Sequence, residues 1–163
     1  GAQTQPQQSQ VIEFQARLMP YAQQASQATG IPARFMLGQA ALESGWGKRE
    51  IRGADGTPSH NLFGVKAGGN WKGPVVETVT TEYINGVAHK SVEKFRAYPS
   101  YADAFRDYAN LLSSNPRYAE LMARVAKGLD AEGFAQGLQQ AGYATDPDYA
   151  SKLNRIIRTT PWS

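Results

Sequence analysis

The sequence contains no cysteine and only two histidines, His60 and His89. Without cysteine the chain can form neither disulfides nor thiolate metal sites, and a zinc centre would have to rely on carboxylates. We therefore predict no metal and no other cofactor. The lack of disulfides does not exclude an oxidising compartment, because a chain of 163 residues can bury an adequate core without cross-links.

Long apolar runs and blocks of like charge are also missing. No apolar stretch approaches the ~20 residues that span a bilayer, so we predict no membrane insertion. The 17 basic and 14 acidic residues give a net charge of +3 and are scattered along the chain. This mild basic balance favours anionic polymers in general. Because the chain lacks a basic stripe, zinc-ligand spacing and a helix-turn-helix pattern, we predict no nucleic-acid partner.

The beginning of the chain is rich in glutamine and has neither an initiating methionine nor a targeting pattern. Such a composition buries too little apolar surface to fold by itself. We therefore predict that residues 1–10 are a disordered linker remnant of an excised piece and that residues 11–163 form a single domain. We expect this domain to be a monomer.

Helical spacing of apolar residues dominates both ends of the sequence. We predict a first helix that is kinked or restarted at Pro20 and stopped by Gly30. Pro32 then opens a second, buried helix that ends before Gly45. In the second half, four side-chain caps begin further helices, at Ser100, Asn115, Asp130 and Asp146.

One β-hairpin is predicted between these helical parts. Two β-rich runs, residues 75–84 and 87–95, are joined by Asn85-Gly86, which is the strongest two-residue hairpin signal. Helices, one hairpin and more helices give an α+β fold that is mostly helical. We expect a substrate cleft between the helical lobe and the small β lobe.

Glu43 is the first candidate for chemistry. It follows Met36, Gln39 and Ala40 at helical spacing, so it continues the helix face that points inward or into a cleft. Burial and the negative end of the helix dipole both raise the pKa of a carboxyl group there. A carboxylic acid that stays protonated near neutral pH can protonate a glycosidic oxygen. The alternative is a glutamate that reaches solvent at a frayed helix end.

Several motifs resemble the flagellar rod-assembly glucosaminidase family of lysozyme-like peptidoglycan hydrolases. The most specific is the segment around Glu43, which resembles the catalytic-helix motif of such enzymes, and the resemblance extends from residue 12 to the C-terminus. The matching segments are QAALESGWG (39–47), NLFGVK (61–66), NWKG (70–73), TEY (81–83) and GYATD (142–146).

The resemblance implies a lysozyme-like fold and roles for three residues. Glu43 is the implied general acid, Glu82 the implied second catalytic carboxylate, and Tyr143 the implied tyrosine beside the scissile sugar, where it would steady charge or position the acetamido group. Strand alternation places Glu82 on the face opposite Glu77. The alternative for Glu82 is a solvent-facing carboxylate paired across the hairpin with His89 or Lys90, and the alternative for Tyr143 is a core tyrosine.

The reaction mechanism stays open at this stage. Inversion through an activated water is favoured over a covalent nucleophile, and attack by the 2-acetamido group of the sugar is a third route. A hairpin can swing, so the sequence does not fix the position of Glu82 relative to Glu43 in the free protein. Trp71, in a polar glycine-rich loop, is the first candidate for stacking on a sugar. The complete predicted substrate-binding set is Gln39, Trp46, Asn61, Phe63, Trp71 and Tyr83.

The resemblance further implies cleavage of the β-1,4 glycan strands of bacterial peptidoglycan, with N-acetylglucosaminidase activity. It places the reaction in the periplasm, where the flagellar rod crosses the wall, and it implies rod proteins as partners through an N-terminal domain outside this sequence. The alternatives are a lytic transglycosylase, a muramidase and a non-catalytic peptidoglycan-binding module. Two candidate carboxylates argue against the binding module, and the second of them argues against the transglycosylase.

Overall fold

The computed structural model describes residues 7–162. Within these residues, six α-helices flank one antiparallel hairpin along the sequence, which confirms the predicted α+β class. Among residues 7–162, no helix combines the length and apolar character that crossing a membrane requires. The elements are α1 (Gln8–Thr29), α2 (Ala33–Ser44), β1 (Val75–Ile84), β2 (Val87–Arg96), α3 (Tyr101–Ser114), a 3₁₀ helix (Pro116–Tyr118), α4 (Ala119–Ala126), α5 (Ala131–Gln140) and α6 (Tyr149–Thr159).

Helix α2 is the centre of the helical lobe. Most of its side chains are buried, so it is surrounded by the other helices instead of lying on the surface. Helix α6 crosses it closely at Gly38, where an added Cβ would lie 2.6 Å from Cγ1 of Ile157. This close approach brings Tyr149, in the first turn of α6, beside the functional end of α2.

The first helix differs from its prediction in two respects. It continues through Pro20 as one element, so it is not restarted there, and it ends at Gly30 as predicted. It also begins at Gln8, so the predicted linker is wrong for residues 8–10, while residues 1–6 lie outside the described residues. Glutamine is a good helix former, and the Gln10 side chain donates to the backbone carbonyl of Trp46 at 3.3 Å, which ties this turn to the domain.

Three of the four predicted helix caps are confirmed. The side chains of Ser100, Asn115 and Asp130 each accept a hydrogen bond from a backbone N–H in the turn that follows. The fourth start is wrong by two residues. Asp146 accepts from the backbone N–H of Asp148 at 2.8 Å and forms a turn that precedes α6.

The predicted hairpin is confirmed, with a second strand that is one residue longer than predicted. Asn85 and Gly86 both have positive φ, 52° and 79°, as a type I′ turn requires. Glu82 lies on the less exposed face of β1, and Glu77 lies on the exposed face, as alternation predicts. At the base of the hairpin, loop 61–67 adds backbone hydrogen bonds to β2, which attach the hairpin to the helical lobe.

Candidate active site

A cleft of about 2000 Å³ separates the hairpin from the helical lobe, as predicted. Its floor includes Glu43 at the end of α2 and Trp46 in the turn that follows, and one wall is formed by β1, with Glu82 and Tyr83. Loop residues 142–146 and the start of α6 also line the cleft. Two glutamates, one from each lobe, therefore face the same space.

Glu43 lies in the last turn of α2, and the predicted rise of its pKa is confirmed. Burial raises the pKa of this carboxyl from 4.5 to about 7, since the charged form loses its hydration. A hydrogen bond from Tyr149 lowers the pKa in part, the negative charges of Glu82 and Asp146 raise it, and Lys66 lowers it. Glu43 therefore holds a proton at neutral pH in a substantial fraction of molecules.

Gly64 lets the backbone of loop 61–67 pass directly over this carboxyl group. Its φ is +65°, and an added Cβ would lie 2.9 Å from Oε2 of Glu43. Any other side chain would be strained in this conformation and would push against the carboxylate. The loop thus covers one side of Glu43 with backbone and contributes to its desolvation.

Glu82 is held in the opposite protonation state. Its Oε1 lies 2.7 Å from Nζ of Lys66, and its Oε2 accepts a hydrogen bond from the Thr145 hydroxyl at 2.7 Å. Partial burial raises its pKa, but the hydrogen bonds from Lys66 and Thr145 outweigh that effect and leave the pKa below its ordinary value. Glu82 is therefore a carboxylate at neutral pH.

The predicted alternative for Glu82, a salt bridge across the hairpin, is wrong. His89 is its register partner, but the carboxylate turns away from β2 toward Lys66. Lys90 instead donates to the hydroxyl of Thr81 at 3.2 Å. The side chain of Glu82 thus points into the cleft and not along the outer face of the sheet.

Thr145 also connects the tip half of the hairpin to the helical lobe. Its hydroxyl oxygen accepts a hydrogen bond from the backbone N–H of Tyr83 at 3.0 Å while it donates to Glu82. With this contact formed, the hairpin lies against loop 142–146, and Glu82 is close enough to raise the pKa of Glu43. The arrangement pairs a neutral acid with an ionised carboxylate, as acid and base catalysis requires.

Tyr143 lies beside the two glutamates, but its hydroxyl proton is already engaged in a hydrogen bond within the protein. Its O–H donates to the backbone carbonyl of Phe63 at 2.6 Å, and its ring stacks near Tyr149 with a centroid distance of 6.1 Å. Burial raises the pKa of the phenol well above 10, so it remains protonated. In this conformation its oxygen can accept a hydrogen bond from a substrate but cannot donate one.

Trp46 and Tyr83, two residues of the predicted substrate-binding set, line the cleft. The ring of Trp46 packs against core aromatic residues, with its centroid 6.1 Å from that of Trp162 and 5.4 Å from that of Phe14. Tyr83 projects from β1 next to Glu82 and is the more available of the two aromatic rings.

Three other members of the set are wrong as substrate contacts, because they are buried. Gln39 is 0% exposed and is bonded to two tyrosines. Asn61 is 1% exposed, and its side-chain amide bonds to the backbone of Val65 and Arg96. Phe63 is 0% exposed and stacks on a core tyrosine with its centroid 4.0 Å away.

Trp71 is wrong as the first candidate for sugar stacking. It does not line the cleft, although its neighbour Asn70 does. The guanidinium of Arg96 lies 4.8 Å from its ring centroid, Tyr98 packs against it at 5.7 Å, and its N–H donates to the carbonyl of Pro74. Its polar, glycine-rich loop folds back on the base of the hairpin, and the contacts of the ring hold the loop in this position.

Sequence reasoning missed Lys66, Thr145 and Tyr149 as members of the site. Lys66 and Thr145 lie inside two of the motifs that carried the resemblance, but nothing in the motifs indicated which carboxylate they would bind. Tyr149 continues the apolar spacing of Leu153 and Ile157, so its pattern was that of a core residue. Only the crossing of α6 over α2 places its hydroxyl against Glu43.

Comparison with known proteins agrees with this geometry. The family model described as glucosaminidase, mannosyl-glycoprotein endo-beta-N-acetylglucosaminidase, matches residues 19–161. The chain belongs to this glucosaminidase family. Among curated relatives of this family member, the peptidoglycan hydrolase FlgJ of Escherichia coli K12 is 58% identical over 145 residues, which are 89% of this chain and 45% of that protein. The chain thus spans less than half the length of this relative.

Solved structures extend the similarity to the fold. A peptidoglycan hydrolase mutant from Sphingomonas sp. A1 superposes with a TM-score of 0.83 at 53% identity, covering 91% of this chain and 93% of that one. A C-terminally truncated glycoside hydrolase domain of Salmonella typhimurium FlgJ gives a TM-score of 0.70 at 53% identity, covering 91% and 95%. The predicted family and the lysozyme-like α+β fold are therefore confirmed.

Proposed function

We propose that this glucosaminidase-family domain is a glycoside hydrolase that cleaves the β-1,4 glycan strands of bacterial peptidoglycan. One observation carries the proposal. Two glutamates with different protonation states line a single open cleft. Burial raises the pKa of Glu43 to about 7, whereas Lys66 and Thr145 keep Glu82 ionised. Glycosidic cleavage uses such a pair of carboxyl groups in different protonation states.

In the proposed reaction, Glu43 donates its proton to the glycosidic oxygen as the bond to the anomeric carbon breaks. The leaving sugar thereby departs as a neutral alcohol. Glu43 becomes a carboxylate, which the hydrogen bond from Tyr149 stabilises. Positive charge that develops on the other sugar faces the anionic Glu82. General acid catalysis of this kind contributes about 10²- to 10⁴-fold.

Glu82 then takes the proton of the water that attacks the anomeric carbon, which completes the hydrolysis. Tyr143 supports this step by accepting a hydrogen bond from the N–H of the 2-acetamido group, since its own proton is engaged by Phe63. This contact would hold the acetamido group in place beside the reacting carbon. Tyr83 is the proposed aromatic contact to the sugar on the hairpin side.

The proposed substrate also suits the charge of the cleft. Basic side chains outnumber acidic ones among the lining residues, which favours a polymer whose peptide stems carry carboxylates. Curated relatives from Escherichia coli and Salmonella typhimurium are named peptidoglycan hydrolase FlgJ. We place the domain in the periplasm, opening the wall for the flagellar rod, with rod proteins contacting another part of a longer protein.

The products of digestion test this proposal. Purified peptidoglycan is digested in H₂¹⁸O, the fragments are reduced with borohydride, and mass spectrometry identifies the sugar at each new reducing end. We expect N-acetylglucosamine ends that carry one ¹⁸O atom. Peptidoglycan incubated without protein is the control for background cleavage, and Glu43→Gln, digested in parallel, tests the role of Glu43.

Each alternative gives a different product. New reducing ends on N-acetylmuramic acid would identify a muramidase, and anhydromuramic ends without ¹⁸O would identify a lytic transglycosylase. If the wild-type chain releases nothing above the protein-free control but sediments with the polymer, the domain is a binding module. Each of these results would overturn the proposed activity.

A further inference from the structure

Three buried polar side chains lie next to Glu43, and one of them, Tyr149, also lines the cleft. Tyr108 of α3 and Gln39 of α2 are 0% exposed, and Tyr149 of α6 is 3% exposed. Buried hydroxyl and amide groups are expensive unless they are hydrogen-bonded, and here they bond to one another. The three helices thus meet at a chain of polar side chains that is packed against the apolar core.

The hydrogen bonds that link Tyr108, Gln39 and Tyr149 all run in one direction, which follows from the donor and acceptor groups of these side chains. The O–H of Tyr108 donates to Oε1 of Gln39, which leaves the amide nitrogen of Gln39 facing Tyr149. This nitrogen can only donate, and it lies 2.9 Å from the Tyr149 hydroxyl oxygen. The hydroxyl of Tyr149 therefore accepts from Gln39 and is free to donate its own proton to the carboxyl group of Glu43.

A neutral carboxylic acid has one protonated oxygen and one carbonyl oxygen. The oxygen of Glu43 that accepts from Tyr149 is the carbonyl oxygen, since a protonated oxygen meeting a second donor would be repelled. We propose that the chain Tyr108, Gln39, Tyr149 decides which oxygen of Glu43 carries the proton and thereby presents the acidic O–H to the glycan. The three are positioning residues, and the inference rests on the proposed role of Glu43.

The other groups around Glu43 do not determine which of its oxygens carries the proton. Glu82 from β1 and Asp146 from the loop before α6 act through their negative charge, and Lys66 from loop 61–67 acts through its positive charge. The phenols of Tyr108 and Tyr143 lie close enough for the charge of Glu43 to raise their pKa values. Among the interactions described for Glu43, the hydrogen bond to its side chain comes from Tyr149.

Replacement of Tyr149 by phenylalanine tests the proposal. The hydrogen bond from Tyr149 lowers the pKa of Glu43, so its loss should raise that pKa from about 7 by about 0.5 to 1 unit. ¹³C NMR titration of labelled glutamate, assigned with Glu43→Gln, measures the pKa in the free protein. We also expect kcat to fall about tenfold, with KM unchanged and the alkaline limb of the rate profile moved to higher pH.

Replacement of Tyr108 by phenylalanine tests the direction of the chain without touching Tyr149. The amide of Gln39 would then lack its fixed donor and could turn its oxygen toward Tyr149, which would draw the Tyr149 proton away from Glu43. We expect a smaller upward shift of the Glu43 pKa than in Tyr149→Phe. This variant also provides a second measurement if Tyr149→Phe folds poorly.

Tyr98→Phe is the matched control, because Tyr98 is a buried tyrosine whose hydroxyl donates to a different carboxylate, that of Asp107. It should lower the free energy of unfolding and leave the Glu43 pKa in place. The proposal is overturned if folded Tyr149→Phe leaves that pKa unmoved or lowers it, or if Tyr108→Phe causes no shift. The titration needs no turnover, so a failure of the proposed acid role of Glu43, seen as undiminished cleavage by Glu43→Gln, is a separate result.

Discussion

The two sides of the cleft hold their carboxyl groups by different means. Glu43 extends from α2, whose residues are mostly buried in the main core, and desolvation sets its protonation state. Glu82 extends from a two-stranded hairpin with exposed outer residues, such as Val79 at 63% and Val92 at 66%. Its protonation state is set by the side chains of Lys66 and Thr145.

In the proposed mechanism, the acid is therefore held more firmly than the base. A packed helix end holds Glu43 through many apolar contacts, which are insensitive to salt. The hairpin reaches loop 142–146 through a few polar contacts at the surface, and such contacts are individually weak and screened by salt. We expect changes at Glu43 to alter the chemistry and changes around Glu82 to alter how often the site is assembled.

Glu43→Gln should have the largest effect on activity. The amide has almost the same shape but cannot donate an acidic proton, so we expect kcat for peptidoglycan cleavage to fall about 10³-fold. Binding to insoluble peptidoglycan should be unchanged, since the cleft keeps its shape. Turbidity loss and sedimentation with the polymer measure the two quantities, and cleavage within tenfold of wild type would refute the acid role.

The same substitution should stabilise the fold at alkaline pH. The folded-state pKa of Glu43 is raised from 4.5 to about 7, so the folded state holds a proton that the unfolded state releases between these values. Wild-type stability therefore decreases as pH rises through this window, and Glu43→Gln lacks this loss. We expect the variant to be more stable by about 2 to 3 kcal/mol at pH 8 and unchanged near pH 4. Urea unfolding at both pH values measures the difference.

Glu82→Gln should have the next largest effect, and Glu77→Gln provides its control on the same strand. Without the carboxylate there is no base for water and no anion facing the developing charge, so we expect kcat to fall about 10²-fold. Glu77 lies on the exposed face of β1 and should retain full activity when changed. Equal losses in both variants would mean that the strand, and not the carboxylate, matters.

Gly64→Ala tests the backbone that covers Glu43. The added methyl group would meet the Glu43 carboxyl oxygen at 2.9 Å and would displace it or the loop. We expect kcat to fall about tenfold and stability to fall by about 1 to 2 kcal/mol. Gly56→Ala is matched in strain, with φ +84° and nothing within 4 Å of the added carbon. It should lose a similar amount of stability but keep its activity.

The sequence predicted local structure well where one signal was sufficient. The Asn85-Gly86 turn, the caps at Ser100 and Asp130 and the inward face of α2 depend on residues near one another in the chain, and each is confirmed. The raised pKa of Glu43 followed from the same reasoning, because a carboxyl group on a buried helix face is desolvated wherever the other helices lie.

The errors occurred where residues distant in sequence meet. The motifs that include Gln39 and Phe63 do not distinguish a side chain that contacts substrate from a buried one that supports the site. Trp71 had a polar neighbourhood in sequence but an apolar and cationic one in space, supplied by Tyr98 and Arg96. The role of Tyr149 depends on the crossing of two helices, which spacing along one helix does not encode.

Thr145→Val should have the smallest effect and should reveal the adjustable side of the cleft. Valine keeps the shape but removes both the donor to Glu82 and the acceptor for the N–H of Tyr83. We expect the hairpin to lie against the helical lobe less often, with kcat/KM reduced about threefold to tenfold.

Thr145→Ser keeps the hydroxyl group and should restore activity to near the wild-type value. Wild-type activity measured from 50 to 300 mM salt should fall more steeply than that of Thr145→Val, because the variant has already lost part of the polar contact that salt weakens. A loss in Thr145→Ser as large as that in Thr145→Val would assign the effect to the methyl group of threonine. The position of Glu82 would then depend on packing, as the position of Glu43 does.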